Sequence, residues 1–164
     1  MGRKRGVPMQ MTGSLEDYVE CIYLLILDEN TARIRDIALR MGVKTPSVVK
    51  AISILKEDGI VTQAPYGSVE LTSAGEREAK RILATHHLLK KFLICLGVEK
   101  ETAEEDCCKM EHILSRETLG RIAQFVKSND PSWEESSDLF PDDSEDDHAE
   151  QGRQEHPVFD FSAP

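Results

Sequence analysis

The feature that most constrains this chain is a double change of apolar period between residues 34 and 71. A short stretch, Ile34–Met41, has helical spacing and stops at Gly42. A second, with Val48, Val49, Ile52 and Leu55 as its apolar positions, starts at Thr45-Pro46 and stops at Gly59. Thr45 is expected to cap it. The period then drops to that of strands: Ile60-Val61-Thr62 and Ser68-Val69-Glu70-Leu71 flank the turn cluster Ala64-Pro65-Tyr66-Gly67. Helix, tight glycine turn, helix and hairpin, in that order, make a helix-turn-helix with a wing. A generic three-helix domain would supply the helices, but not the glycine turn, the basic third helix and the hairpin together.

Helical patterns lie on both sides. Ser14 is placed to cap a helix over 15–28, whose apolar face is Leu15, Tyr18, Val19, Ile22, Leu25 and Ile26. Thr72-Ser73-Ala74-Gly75 opens a long helix that runs to about Leu96 and ends at Gly97, and two more fit 100–114 and 116–128. The fold class predicted is mainly α: an N-terminal winged helix-turn-helix domain, then an all-helical domain. The divisions are a basic arm at 1–13, the winged helix at 14–74, the helical domain at 75–129 and an acidic tail without a packed pattern at 130–164.

Charge supports this division. The whole chain carries a net −10, which argues against a nucleic-acid partner until its distribution is read. From Asp130 onward there are 12 acidic residues and one basic, Arg153, while the preceding 129 residues carry 18 acidic and 19 basic. Between residues 33 and 56, six basic residues face one acidic, Asp36. A local basic stretch is what a phosphate backbone responds to, not the whole-chain sum. A recognition helix puts its first residues against base edges, which selects Lys44, Thr45, Pro46, Ser47 and Lys50. Arg33, Arg35 and Tyr66 are the candidate backbone contacts. Thr45 and Pro46 would start any helix well, and that role is compatible with a DNA contact.

Three segments carry residues that ligate metals. Asp17 and Glu20 stand three apart on the first helix, His86 and His87 lie in the long helix, and Cys108, Glu111 and His112 fall at i, i+3 and i+4. Carboxylate, imidazole and thiolate suit first-row divalent ions. Each segment alone also fits a solvated face or a small buried cysteine. The four cysteines have neither zinc-knuckle spacing nor the density of a secreted scaffold, so reduced thiols or ligands are expected. No apolar run is long enough for a membrane span and no secretory leader is expected, which points to the cytoplasm.

In combination, LEDYVECIYLL, MGVKTPSVVKAISILKEDG, LTSAGE, HHLLKKFL and CKMEHILS resemble the manganese- and iron-dependent repressors related to the diphtheria toxin repressor, over roughly residues 14–127. Within that family the chain is similar to the shorter manganese transport regulators. The resemblance implies a homodimeric repressor of metal-ion homeostasis, bound to a palindromic operator on double-stranded DNA, with Mn2+ or Fe2+ as corepressor and Zn2+ or Co2+ able to substitute. It implies Asp17, Glu20, His86, Cys108, Glu111 and His112 as ligands. His86 is preferred to His87 because the Leu-Leu and Phe-Leu that follow then align. His87 is expected at the surface, and Cys107, Cys21 and Cys95 in packing.

The chain departs from both subgroups. Manganese regulators usually have glutamate where Cys108 stands, and iron regulators usually have methionine where Asp17 stands. Lys90 and Glu104 occupy places where the iron subgroup carries ancillary ligands. The stripe Leu119, Ile122, Ala123 and Val126 is expected to be buried in the dimer, as in the family, or within one chain. The main alternative function is a winged-helix regulator indifferent to metal; a structural zinc protein is another. No nucleophile elbow, phosphate loop or HExxH is present in the sequence, so no enzymatic activity is expected.

Overall fold

The computed structural model describes residues 13–65, 67–134, 136 and 138–140. Tyr66, residues 1–12 of the basic arm and the acidic segment beyond 140 lie outside the described residues. The elements run α1 (Gly13–Glu29), α2 (Ile34–Met41), α3 (Thr45–Glu57), β1 (Val61–Gln63), β2 (Val69–Leu71), α4 (Ser73–Cys95), α5 (Lys100–Met110) and α6 (Arg116–Asn129).

Two apolar cores form. The first joins α1, α2, α3 and the hairpin to the start of α4, with Val19, Ile22, Ile37, Leu55 and Ile82 at its centre. The second joins the rest of α4 to α5 and α6 through Leu88, Leu89, Ala103, Cys107, Ala123 and Val126. α4 therefore belongs to both. At α2 the chain reverses through Gly42, whose φ of 65° is the left-handed conformation that glycine takes without strain. The hairpin pairs Val61 with Leu71 and Gln63 with Val69, which turns Val61 and Val69 into the core and Thr62 and Glu70 outward. Ala32 adds a single bridge to β2, its carbonyl accepting from Val69 N–H at 2.7 Å.

Several expectations need correction. Ser14 lies inside α1, and α3 starts at Thr45 with Lys44 as its extended flanking residue and no side-chain cap. Pro46 fixes that start instead, its φ already being helical. Val49 is 53% exposed, not core. α5 ends at Met110, so Glu111 and His112 occupy the turn after it, although Glu111 keeps helical angles (φ −58°, ψ −27°). The stripe on α6 is buried within the chain. Part of its cover comes from the start of the acidic segment, where Leu139 is only 4% exposed and Trp133 and Phe140 pack beside it.

Candidate metal centre

α1 presents two faces. Tyr18, Val19, Ile22 and Leu25 enter the first core, which leaves Glu16, Asp17 and Glu20 on the side toward α4 and the turn after α5. The second half of α4 contributes His86, which is buried, while His87 is exposed. The end of α5 and its turn contribute Cys107, Cys108, Glu111 and His112.

These side chains form one connected cluster with Glu111 at its centre. The Glu111 side chain is 3% exposed. One of its oxygens accepts from His86 Nδ1 at 3.0 Å, and the other faces His112 Nε2 at 3.5 Å. Around His86 lie Cys108 Sγ, 3.8 Å from Nδ1, and Cys107 Sγ, 3.5 Å from Nε2. Around His112 lie Asp17 Oδ1, 3.0 Å from Nε2, and Glu16 Oε2, 2.6 Å from Nδ1. The ligand atoms of His86, Cys107 and Cys108 all fall within 4.8 Å of one another, and so do those of Asp17, Glu111 and His112. Glu20 borders both groups. Its carboxyl is held above the usual range by burial, then by the neighbouring Glu111.

Five of the six residues named from sequence thus lie in these two groups and the sixth beside them. Reasoning from sequence missed three neighbours. Glu16 was hidden by being adjacent to Asp17. Glu104 was noted only as a departure, yet its carboxylate accepts from His86 Nε2 at 3.2 Å and pairs with Lys90. Cys107 was assigned to packing. It is indeed buried, and it donates to the Glu104 carbonyl at 3.2 Å, but it also lies against the His86 ring. Burial and the neighbouring Cys108 push its thiol up to about 12.

The electrostatics suit a cation. Burial works against charge on His112, but Glu16, Asp17 and Glu111 together raise its pKa. Glu111 raises that of His86 against burial, helped by Glu20 and Glu104. The same carboxylates that favour a proton on each imidazole would favour a divalent cation among them, and carboxylate, imidazole and thiolate are all ligand types for first-row metals. The residues fit such an ion.

The DNA candidates lie apart from this centre. Arg33, Arg35, Lys44, Thr45, Pro46, Ser47 and Lys50 are all exposed, at the start of α2 and the first turns of α3. Arg35 leans on Asp36 at 3.4 Å. Val49 and Lys50 extend the exposed face by one turn, so Val49 joins the surface that sequence reasoning had assigned only to Lys44, Thr45, Pro46, Ser47 and Lys50.

Comparison with known proteins agrees with both halves. Residues 10–69 match the iron dependent repressor N-terminal DNA binding domain, and residues 72–132 match the iron dependent repressor metal binding and dimerisation domain. The HTH-type transcriptional regulator MntR of Lysinibacillus sphaericus is 40% identical over 116 residues, which is 71% of this chain and 84% of that protein. The crystal structure of T. acidophilum IdeR aligns with a TM-score of 0.59 and 29% identity, over 74% of this chain and 55% of that one. A manganese-dependent transcriptional repressor in complex with manganese aligns at 0.63 and 27%, over 68% of this chain and 52% of that one. The chain thus spans about half the length of these two solved repressors.

Proposed function

The chain belongs to the iron-dependent repressor family, and from that premise we propose how it works: the cluster around Glu111 is the switch of a metal-responsive transcriptional repressor. The observation that carries this reading is the meeting of Asp17 and Glu20, from the DNA-binding half, with His86, Cys108, Glu111 and His112, from the other half. Those six residues would hold the ion, with Cys107 beside them. The bound ion supplies two positive charges and coordination bonds among groups that otherwise repel one another.

The residues set the coupling. Asp17 and Glu20 sit on the helix whose other face packs in the core that carries α3. Drawing them toward Glu111 and His112 therefore fixes α1, and with it the recognition helix, relative to α4. The chain works as a homodimer, so this also fixes two recognition helices relative to each other, and a two-fold dimer reads a palindromic operator. Metal and operator then favour the same arrangement, and each strengthens the binding of the other by the same factor. The exposed start of α3 meets the major groove, with Lys50 on a base or phosphate and Thr45, Pro46 and Val49 beside it, while Arg33, Arg35 and Tyr66 take the backbone. Thiolate and imidazole suit Fe2+, and would accept Zn2+ or Co2+, whereas Asp17, Glu20 and Glu111 suit Mn2+. The protein acts in the cytoplasm, on genes of metal-ion homeostasis.

The test is anaerobic retention of genomic DNA fragments at one fixed salt concentration, in chelator, Mn2+, Fe2+ or Zn2+. Specific fragments should be retained only with a divalent ion, and Glu111→Ala and His112→Ala should each remove that stimulation while leaving a folded dimer. Equal retention in chelator would leave a winged-helix regulator without a metal switch.

A further inference from the structure

Resting on the metal-responsive reading above, we propose that Glu16 is a positioning residue of the centre: it fixes which nitrogen His112 turns toward the ligand cluster, and Arg81 holds Glu16 in place. Glu16 lies outside the ligand set. Its two carboxylate oxygens are divided between two partners on different elements. Oε2 accepts from His112 Nδ1 at 2.6 Å, and Oε1 accepts from the Arg81 guanidinium at 3.1 Å. With Nδ1 engaged, Nε2 is the nitrogen that faces Asp17 at 3.0 Å and Glu111 at 3.5 Å. A ligating imidazole characteristically donates its second N–H to a carboxylate, which sets both ring orientation and tautomer.

Two further contacts hold this arrangement. The Arg81 guanidinium is anchored on Glu78 by hydrogen bonds of 2.6 and 3.1 Å, so it offers Glu16 a fixed donor, not a swinging one. On the α1 side, the ring lies against the backbone of Gly13: a Cβ there would stand 2.9 Å from His112 Cγ. The first turn of α1 thus grips His112 at Gly13, Glu16 and Asp17. Glu16 also joins α1, α4 and the turn after α5 directly, so the two cores are linked before any ion is considered.

The experiment measures Mn2+ and Co2+ affinity of the full chain by competition with a chelating dye, together with the visible Co2+ spectrum and thermal stability in chelator. Glu16→Ala should weaken both ions by about 10- to 100-fold, the usual effect of losing such a carboxylate. It should also alter the Co2+ spectrum. Glu16→Gln keeps an oxygen that accepts from Nδ1–H, so it should recover most of that loss. Arg81→Gln should weaken binding in the same direction as Glu16→Ala, and it decides the matter if Glu16→Ala does not fold. Affinity within about twofold of wild type in Glu16→Ala overturns the proposal. So does tighter binding in Arg81→Gln, because Glu16 would then be a direct ligand relieved of a competing cation. A wild-type chain that binds neither ion overturns the metal-responsive reading itself, and this proposal with it.

Discussion

Gly75→Ala is the sharpest test of how the two halves are joined. Gly75 lies in the first turn of α4, where an added Cβ would stand 2.1 Å from the carbonyl oxygen of Ile60 and 3.0 Å from Leu71 Cδ2. An ordinary carbon–oxygen contact is about 3.3 Å, so the helix start or the Ile60 carbonyl must move by about 1 Å. Neither is free to do so. The Ile60 carbonyl accepts from Thr72 N–H at 3.0 Å, and Thr72 Oγ1 lies 2.7 Å from the Gly59 oxygen while itself accepting from Gly75 N–H at 3.1 Å. Losing two of these hydrogen bonds costs about 2 kcal/mol, and forcing a methyl into a packed site about 1–3 kcal/mol more. Alanine in place of glycine in a helix returns only about 0.5–1 kcal/mol. The net expectation is about 3 kcal/mol of destabilisation, measured by urea unfolding as a lower midpoint with unchanged slope. Gly120→Ala is the internal control. It is also helical, but its Cβ would meet only Phe140 Cζ, at 3.9 Å, so it should stabilise by about 0.5–1 kcal/mol. If Gly75→Ala matched or exceeded wild-type stability, the close docking of α4 on Ile60 would be refuted.

Three other outcomes are expected. Lys50→Ala should weaken DNA binding and, if its partner is a phosphate, reduce the salt slope of log K by about 1, measured by titration at several salt concentrations. Cys108→Glu replaces the softest of the six proposed donors with a hard one, so the ratio of Mn2+ to Zn2+ affinity should rise by about tenfold; a ratio unmoved in a dye competition would take Cys108 out of the proposed ligand set. Leu139→Ala removes a buried side chain from the second core and should cost about 2–5 kcal/mol in urea unfolding. A cost below about 0.5 kcal/mol, the size of an ordinary surface substitution, would show that this segment does not cover α6 in solution.

The order of elements was legible because each rests on a local signal: period, Gly42, the Thr72 cap of α4 and the β-type runs. Val49 was misread because periodicity marks an apolar face, not what covers it, and this part of α3 is left uncovered. The α6 stripe carried the converse ambiguity. Its cover comes partly from Leu139, in a segment whose acidic composition conceals three apolar side chains that pack. At the centre, spacing along helices singled out candidate residues that the fold brings together. It could not place Glu104 or Cys107 beside His86, because that contact depends on how α5 packs against α4.

That packing also gives the proposed coupling of metal sensing to DNA placement its structural basis. α4 is built into both cores, so it forms a common frame, and α1 is the element that carries donors on one face and core residues on the other. Its carboxylates reach that frame and the turn after α5: Glu16 meets Arg81 on α4 and His112, and Asp17 meets His112. Glu16, Asp17 and Glu20 share one helix, so in the proposed switch a rotation of α1 would move all three relative to the cluster together. The same rotation repacks Val19 and Ile22 against the core that carries α3. A close-packed core favours discrete arrangements over continuous drift. In the proposed switch, charge gathered at Glu111 is read out as a choice between positions of the recognition helix.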